Sequence, residues 1–304
     1  MRGYHLPPKS LKFADDYKSI LTQTHNTMRE KNLVYRGKSK DVYEITAGEH
    51  AGKYMLHYKD EATGYIEDGK PVFDPGYDTV VGEIPGKGAI ACRFATHFFR
   101  LLQEKGIPSH YIDTVSDTEM VVEPADPLGL PAADPEFDGS APLLNLEFTW
   151  RNNATGSFWR RYPFVRPCMN IHKVVEAWTK GDVDLLISLE ALEETGAMSR
   201  EEIAGSVELV KNIASIVSEE FASKGLHVID GKFELGRLRH GDGKIVIIDE
   251  ISPDVLRVCK GYSPDSEGDC TIYHDCTVTA FTGGKRTIKN KNQVKASGFV
   301  DIFL

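Results

Sequence analysis

Hydrophobic and polar positions alternate most sharply over residues 227–257, where two apolar, β-branched runs flank Gly241, Asp242 and Gly243. That punctuation predicts a hairpin turn between two strands. In the first run Asp230, Lys232 and Glu234 alternate with Phe233 and Leu235, so a period of two places all three charges on one face. The return run, 244–248, is apolar until it ends in Asp249 and Glu250. Turn register decides whether Glu234 faces Asp249 or Glu250, because a one-residue slip exchanges the faces. Acidic side chains beside a lysine at the ends of buried strands suit a hydrated Mg²⁺ with nucleotide phosphates, which needs hard oxygen ligands and a cation. A hairpin with a solvated charged face is the alternative. Against it, the return run reads as buried on both sides, and a buried charge requires a partner or a metal.

The remaining pattern predicts elements in order. Residues 1–31 are polar with a weak helical pattern (Leu11, Tyr17, Leu21) and are expected to pack on the outside. Residues 33–45 read as strand, glycine-centred turn and strand, with Lys38 and Lys40 on the turn. Gly37 allows backbone to approach a phosphate and the lysines supply charge; a plain surface hairpin is the alternative. Residues 54–58 predict a strand, followed by a long polar loop. Over 89–104, Ile90, Phe94, Phe98, Leu101 and Leu102 recur at helical spacing, with Gly106 and Pro108 as the stop. Their stripe is core, and the glycines around Lys87 can set a helix N-terminus against an anion. Residues 119–123 and 144–150 read as strands, separated by an exposed Pro- and Asp-rich excursion at 124–142. Directly after the second strand, Arg151, Ser157, Arg160 and Arg161 surround a small-residue turn. The guanidinium fork matches phosphate or carboxylate, a structural arginine cluster being the alternative. Helices are expected at 171–179 and 200–224.

Composition narrows the function classes. A chain of 304 residues holds one large domain or two lobes sharing a cleft. The net charge of -9 argues against a nucleic-acid surface, so any anion site must be locally basic. The N-terminus lacks the apolar core of a signal peptide and no run is long enough to span a membrane, so a cytoplasmic protein without a membrane partner is expected. The five cysteines (Cys92, Cys168, Cys259, Cys270, Cys276) form no C-x-x-C pair and read as reduced thiols, with a Cys270–Cys276 bridge left open by their closeness. No internal repeat is visible.

Taken in order, GKSKDVYEI, EIPGKGA, RNNATGS, IDGKFELGR and IDEISPDVLR resemble the SAICAR synthetases (phosphoribosylaminoimidazole-succinocarboxamide synthases) of purine biosynthesis. RNNATGS and the DEISPD segment are the specific signals, and the likeness runs over residues 33–257. The resemblance implies an α+β, two-lobed fold, an N-terminal antiparallel sheet over a larger α/β C-terminal lobe with ATP in the cleft. The implied division is an extension at 1–32, an ATP-binding lobe at 33–123, a linker or insertion at 124–143, and a substrate- and metal-binding lobe at 144–304. It also implies an ATP-dependent ligase that activates the carboxylate of an aminoimidazole ribonucleotide, as an acyl phosphate, and joins it to the amine of L-aspartate. Lys38 and Lys40 would contact ATP phosphates, and Glu234 and Asp249 would hold Mg²⁺. Asp230 and Lys232 would face the substrate and the transferring phosphoryl group. Arg151, Ser157 and Arg257 would bind the ribonucleotide.

The chain departs from the family pattern in three places. Gly231 stands where the family carries Phe, Val258-Cys259-Lys260 follows Arg257 where Leu-Trp-Asp is expected, and residues 261–304 do not align. Strand-favouring residues such as Thr271, Tyr273, Val278 and Phe281 predict β-structure or an ordered flap there. A paralogue joining a different amine or heterocyclic carboxylate in specialised nucleoside metabolism therefore stays open, as does a nucleotide-binding protein without ligase activity. The expected partners are small-molecule substrates, with a second copy of the chain left open.

Overall fold

The computed structural model describes residues 30–73, 79–128, 146–180, 184–240, 242–252, 254–264 and 270–275, by backbone alone at 127 and 270–275. A first antiparallel sheet is built from β1 (Lys31–Arg36), β2 (Lys40–Ile45) and β3 (Tyr54–Tyr58). The stretch expected as a long polar loop instead forms β4 (Glu61–Glu67), β5 (Lys70–Phe73) and β6 (Val80–Glu83), a small sheet of its own in the order β5-β4-β6. It was hidden from the sequence because polar residues alternate through it without an apolar period. The helix expected within residues 1–31 lies outside the described residues, apart from Glu30 and Lys31, and Lys31 already belongs to β1.

Helix α1 (Lys87–Glu104) buries Ala91, Phe94, Ala95, Phe98, Phe99 and Leu102, the i, i+3, i+4 stripe that an amphipathic helix turns to a core. Gly106 ends it at φ 71, a left-handed conformation that suits glycine. The chain returns as β7 (Tyr111–Ser116) and β8 (Glu119–Val122), completing the first sheet in the order β1-β2-β3-β8-β7.

The larger sheet begins where an exposed excursion is expected. There β9 (Ala125–Pro127) is a short strand and Leu128 is fully buried; residues 129–145 lie outside the described residues. Next come β10 (Leu146–Asn153), the short helix α2 (Gly156–Arg161), β11 (Asn170–Thr179), β12 (Leu186–Ile187), α3 (Leu189–Glu194) and α4 (Arg200–Ser223). Residues 171–179, expected as a helix, belong to the strand β11: their backbone pairs with β10 on one side and, at Ala177 and Trp178, with β12 on the other, and their β-branched and aromatic side chains suit the extended form. Helix α4 starts with a capping box, Ser199 accepting from Glu202 N while the Glu202 carboxylate accepts from Ser199 N. Its buried face runs from Ile203 through Val210 and Val217 to Phe221.

The expected hairpin is β13 (His227–Leu238) and β14 (Ile245–Ile248), followed by β15 (Leu256–Pro264) and β16 (Cys270–Asp275). The sheet order is β12-β11-β10-β13-β15-β16, with β14 and β9 also paired to β13. The β-structure expected after residue 261 is present in the pairing of β16 with β15; residues 276–304 lie outside the described residues. A single apolar cluster joins the layers, from Leu56 and Tyr58 on β3 through α1 to Phe148 and Trp150 on β10 and to α4.

The glycine that departs from the family pattern has a packing explanation. Gly231 is the register partner of Trp150, and a Cβ placed on it would lie 3.1 Å from the Trp150 ring and 2.3 Å from Leu256 Cδ2. Leu256 on β15 and the Trp150 indole on β10 together crowd the space that a side chain at position 231 would need. The cysteines differ from the expected set of free thiols: Cys92 and Cys259 are free and buried, whereas Cys168 is disulfide-bonded. Among the described residues no helix is long and apolar enough to cross a membrane.

Candidate active site

Register builds the site. In the pairing of β10 with β13, Arg151 lies opposite Asp230, Thr149 opposite Lys232 and Glu147 opposite Glu234. On the other side of β13, Asp230 lies opposite Arg257 of β15. Because side chains repeat every two residues along a strand, these rows share one face of three adjacent strands.

The first row is an arginine cluster organised on Asp230. Arg151 donates from Nη1 to Asp230 Oδ2 at 2.8 Å, from Nη2 to Ser157 Oγ at 3.1 Å and from Nε to Glu176 Oε2 at 3.3 Å. Arg257 donates from Nε to Asp230 Oδ1 at 2.6 Å and from Nη2 to Thr155 Oγ1 at 2.6 Å. The tight turn after β10 makes this possible: Gly156 has φ 54, and a Cβ there would meet the Arg257 guanidinium at 3.5 Å. Glu176, on β11, also takes Arg161. Arg151, Ser157, Asp230 and Arg257 are thus brought together. Glu176 and Thr155 join them unannounced; Glu176 was concealed by the helical expectation for its segment.

The second group is acidic and basic in alternation. Lys232 donates to Glu147 Oε2 at 2.7 Å, and Lys180, just beyond β11, pairs with Glu234. Burial opposes the charge on Lys232, but Glu147 outweighs it and its pKa is raised. Glu234 lies opposite Ile248, so neither Asp249 nor Glu250 is its register partner. The chain leaves β14 at Asp249 with φ 65, a left-handed conformation uncommon outside glycine. Even so the two carboxylates feel each other: burial and then the charge of Asp249 push Glu234 upward, while Lys40 and Lys180 overcome burial and hold Asp249 below its ordinary value. Both are hard oxygen donors. Among the described residues no group of three or more His, Cys, Asp or Glu side chains is placed to hold a metal. A cation here would therefore take two protein carboxylates and find its other ligands elsewhere.

The two turn lysines separate. Lys40 points inward and is buried against Glu250 and Asp249, at 3.2 Å from Asp249 Oδ1, and these carboxylates override the burial penalty to raise its pKa. Lys38 is exposed on the turn, which closes through Gly37 N donating to Lys40 O at 2.9 Å. A Cβ on Gly37 would lie 2.4 Å from that oxygen, so the turn requires glycine. Lys87, at the start of α1, is also buried and paired, at 3.0 Å from Asp254. The anion at the α1 N-terminus is the chain's own Asp60, whose carboxylate accepts from Gly86 N at 3.0 Å and Gly88 N at 2.9 Å.

Comparison with known proteins places this geometry in a family. The model of the SAICAR synthetase family matches residues 33–269. The phosphoribosylaminoimidazole-succinocarboxamide synthase of Clostridium tetani is 37% identical over 233 residues, covering 75% of this chain and 92% of its own. That of Methanopyrus kandleri is 30% identical, over 76% of this chain and 81% of its own. Among solved structures, a SAICAR synthetase in complex with ADP superposes with a TM-score of 0.58 at 27% identity, covering 76% of this chain and 84% of its own. The synthase of Ehrlichia chaffeensis, at 22% identity and a TM-score of 0.61 over 79% of this chain and 88% of its own, shares the fold.

Proposed function

The chain belongs to the SAICAR synthetase family, and from that premise we propose that it is an ATP-dependent carbon–nitrogen ligase of purine biosynthesis. It activates the carboxylate of an aminoimidazole ribonucleotide and joins it to the amine of L-aspartate. The observation that carries the proposal is the shared face of β10, β13 and β15, where an arginine cluster adjoins a lysine and carboxylate group.

The chemistry accounts for the residue types. A carboxylate is unreactive toward an amine until one of its oxygens becomes a leaving group, and transferring a phosphoryl group to it depends on positioning and charge neutralisation. The γ-phosphoryl passes from ATP to the carboxylate oxygen, releasing ADP, and the aspartate nitrogen then forms the amide bond as that C–O bond breaks, phosphate leaves and the amine gives up a proton. Arg151, Ser157 and Arg257 hold the ribonucleotide, chiefly its phosphate, with Asp230 fixing both guanidinium groups. Lys232, two residues along the same face, meets the charge on the transferring phosphoryl group. Lys38 reaches the nucleotide phosphates from the turn, and Lys40 adds its charge from behind Asp249.

Glu234 and Asp249 fit Mg²⁺: two partly buried oxygen donors press on one another's charge, and magnesium is commonly bound by one or two carboxylates completed by phosphates and water. When bound, the metal neutralises charge on phosphate oxygens. The division into an ATP-binding lobe at 33–123, a linker at 124–143 and a substrate lobe at 144–304 belongs to the same proposal. The first lobe is supported by the five-stranded sheet lying within residues 31–122, while the pairing of β9 with β13 carries the larger sheet back to Ala125, into the start of the proposed linker. A cytoplasmic location goes with this metabolic role.

The test is ADP release by the purified protein given carboxyaminoimidazole ribonucleotide, ATP and Mg²⁺, with each amino acid supplied in turn. L-aspartate alone should support turnover. Turnover with a different amine and none with L-aspartate would replace this reading with that of a paralogous ligase.

A further inference from the structure

Glu176 is held from two sides. It stands on β11 opposite Thr149 of β10, one diagonal step from Arg151 on the same face. Its Oε2 accepts from Arg151 Nε at 3.3 Å, and its Oε1 accepts from Arg161 Nη2. Both Glu176 and Arg151 are buried. Arg161, the last residue of α2, lies over the Trp178 ring at 5.1 Å, the Tyr162 ring at 5.7 Å and the Phe158 ring at 6.0 Å. Aromatic faces attract a guanidinium. One partner of Glu176 thus belongs to the anion site, and the other sits among aromatic rings beside it.

Arg151 is held at all three of its nitrogens, each by a different element. Asp230 of β13 takes Nη1, Ser157 of α2 takes Nη2, and Glu176 of β11 takes Nε. Bonds at the two Nη atoms alone leave the guanidinium plane free to tilt about the line that joins them. The third bond, at Nε, removes that freedom. A guanidinium carries five N–H groups, so these three donations leave one on each Nη for a ligand. Charge is arranged to match. Asp230 and Glu176 are two carboxylates set among three arginines, Arg151, Arg161 and Arg257, so these five side chains keep one net positive charge. Because Arg161 shares Glu176, the carboxylate steers Arg151 without cancelling its pull on an anion.

We propose that Glu176 is a positioning residue for the ribonucleotide phosphate: from β11 it fixes the plane of Arg151, with Arg161 as its counter-charge, so that the remaining N–H groups meet the phosphate without reorganisation. The inference rests on reading Arg151 as a phosphate-binding residue. A group ordered before the ligand arrives gains affinity because binding no longer bears the cost of ordering it.

The experiment uses the full chain, Glu176→Gln, Arg151→Ala and the double variant. Glutamine keeps the size of the side chain but replaces one accepting oxygen with an NH₂ group, which cannot accept from a guanidinium. Calorimetry follows carboxyaminoimidazole ribonucleotide, the same nucleoside without its phosphate, and ATP. Glu176→Gln should weaken ribonucleotide binding about tenfold, within the range of coupling between residues in contact, and leave nucleoside and ATP affinities within about twofold. In turnover, KM for the ribonucleotide should rise while kcat holds. In the Arg151→Ala background the same substitution should cost no more than about twofold, because the residue it acts through is gone. An undiminished loss in that background, an equal loss for nucleoside and ribonucleotide, or no loss in Glu176→Gln overturns the proposal. Should Glu176→Gln fail to fold, Glu176→Asp, which keeps the charge and shortens the reach, supplies that arm with the same expected pattern. Arg151→Ala alone separates the two levels of inference. If it binds the ribonucleotide like wild type, the reading of Arg151 fails and the proposal with it; if it loses the ribonucleotide selectively while Glu176→Gln does not, only the role of Glu176 fails.

Discussion

Arg151 and Asp230 face each other across β10 and β13, and the guanidinium donates from Nη1 to the carboxylate at 2.8 Å, both side chains being buried. Arg257 holds the same carboxylate from β15. Asp230 thereby orients two guanidinium forks whose combined charge exceeds its own.

Removing one fork should be read by the ribonucleotide. Arg151→Ala is expected to weaken binding of the phosphorylated substrate by about 1.5–3 kcal/mol, the value of a charge-assisted hydrogen bond. ATP affinity should stay within about twofold of wild type, because Arg257 keeps Asp230 paired. Calorimetric titration with each ligand checks this, and a loss confined to ATP would assign the cluster to the nucleotide instead.

At the other end of the face, Asp249→Asn keeps the shape of the side chain and removes its charge. Turnover should fall by at least about a hundredfold, consistent with the affinity lost when a metal site is disturbed. Raising Mg²⁺ should recover part of it, and the unfolding midpoint should change little. Full activity at limiting Mg²⁺ would remove Asp249 from the metal site.

Trp150 and Gly231 share one volume. Gly231→Phe alone should overpack the core and cost about 1–3 kcal/mol in urea unfolding. Pairing it with Trp150→Val should recover part of that loss, since the second change frees the indole's share of the space while Leu256 still borders it. An additive double mutant would show that the two side chains do not compete.

The capping box of α4 gives a stability test remote from the chemistry. Ser199→Ala should cost about 1 kcal/mol. The Arg237 guanidinium, through its hydrogen bond, holds the Glu202 carboxyl below its ordinary value, with the Ser199 N–H acting in the same direction. A group whose folded pKa is depressed contributes stability above its unfolded pKa and loses it as pH falls through the folded one. Wild type should therefore lose stability as pH drops below about 4.5, and Glu202→Gln should lose less over the same interval. Parallel pH curves for the two proteins would contradict this.

The sequence by itself determined every feature that depends on local spacing. The period of two in β13 put Asp230, Lys232 and Glu234 on one face, and the stripe of α1 showed which side of that helix is core. Gly37 marked a turn that only glycine fits. These follow from the geometry of a helix or strand, which any reader of the chain can apply. Tertiary structure decided whatever depends on a distant neighbour. Residues 170–179 carry no helix stop and mix both patterns; they are a strand because β10 and β12 offer backbone partners on either side. Lys40 turns from the expected phosphates to Glu250, which is 210 residues away in the chain. Neither possible register in the sequence foresaw that Glu234 would oppose Ile248 while Asp249 bends out of the strand. The end of β14 is met there by Ser109 and His110, brought past the far end of α1 to pair with Ile247, and no local period records a contact of that kind.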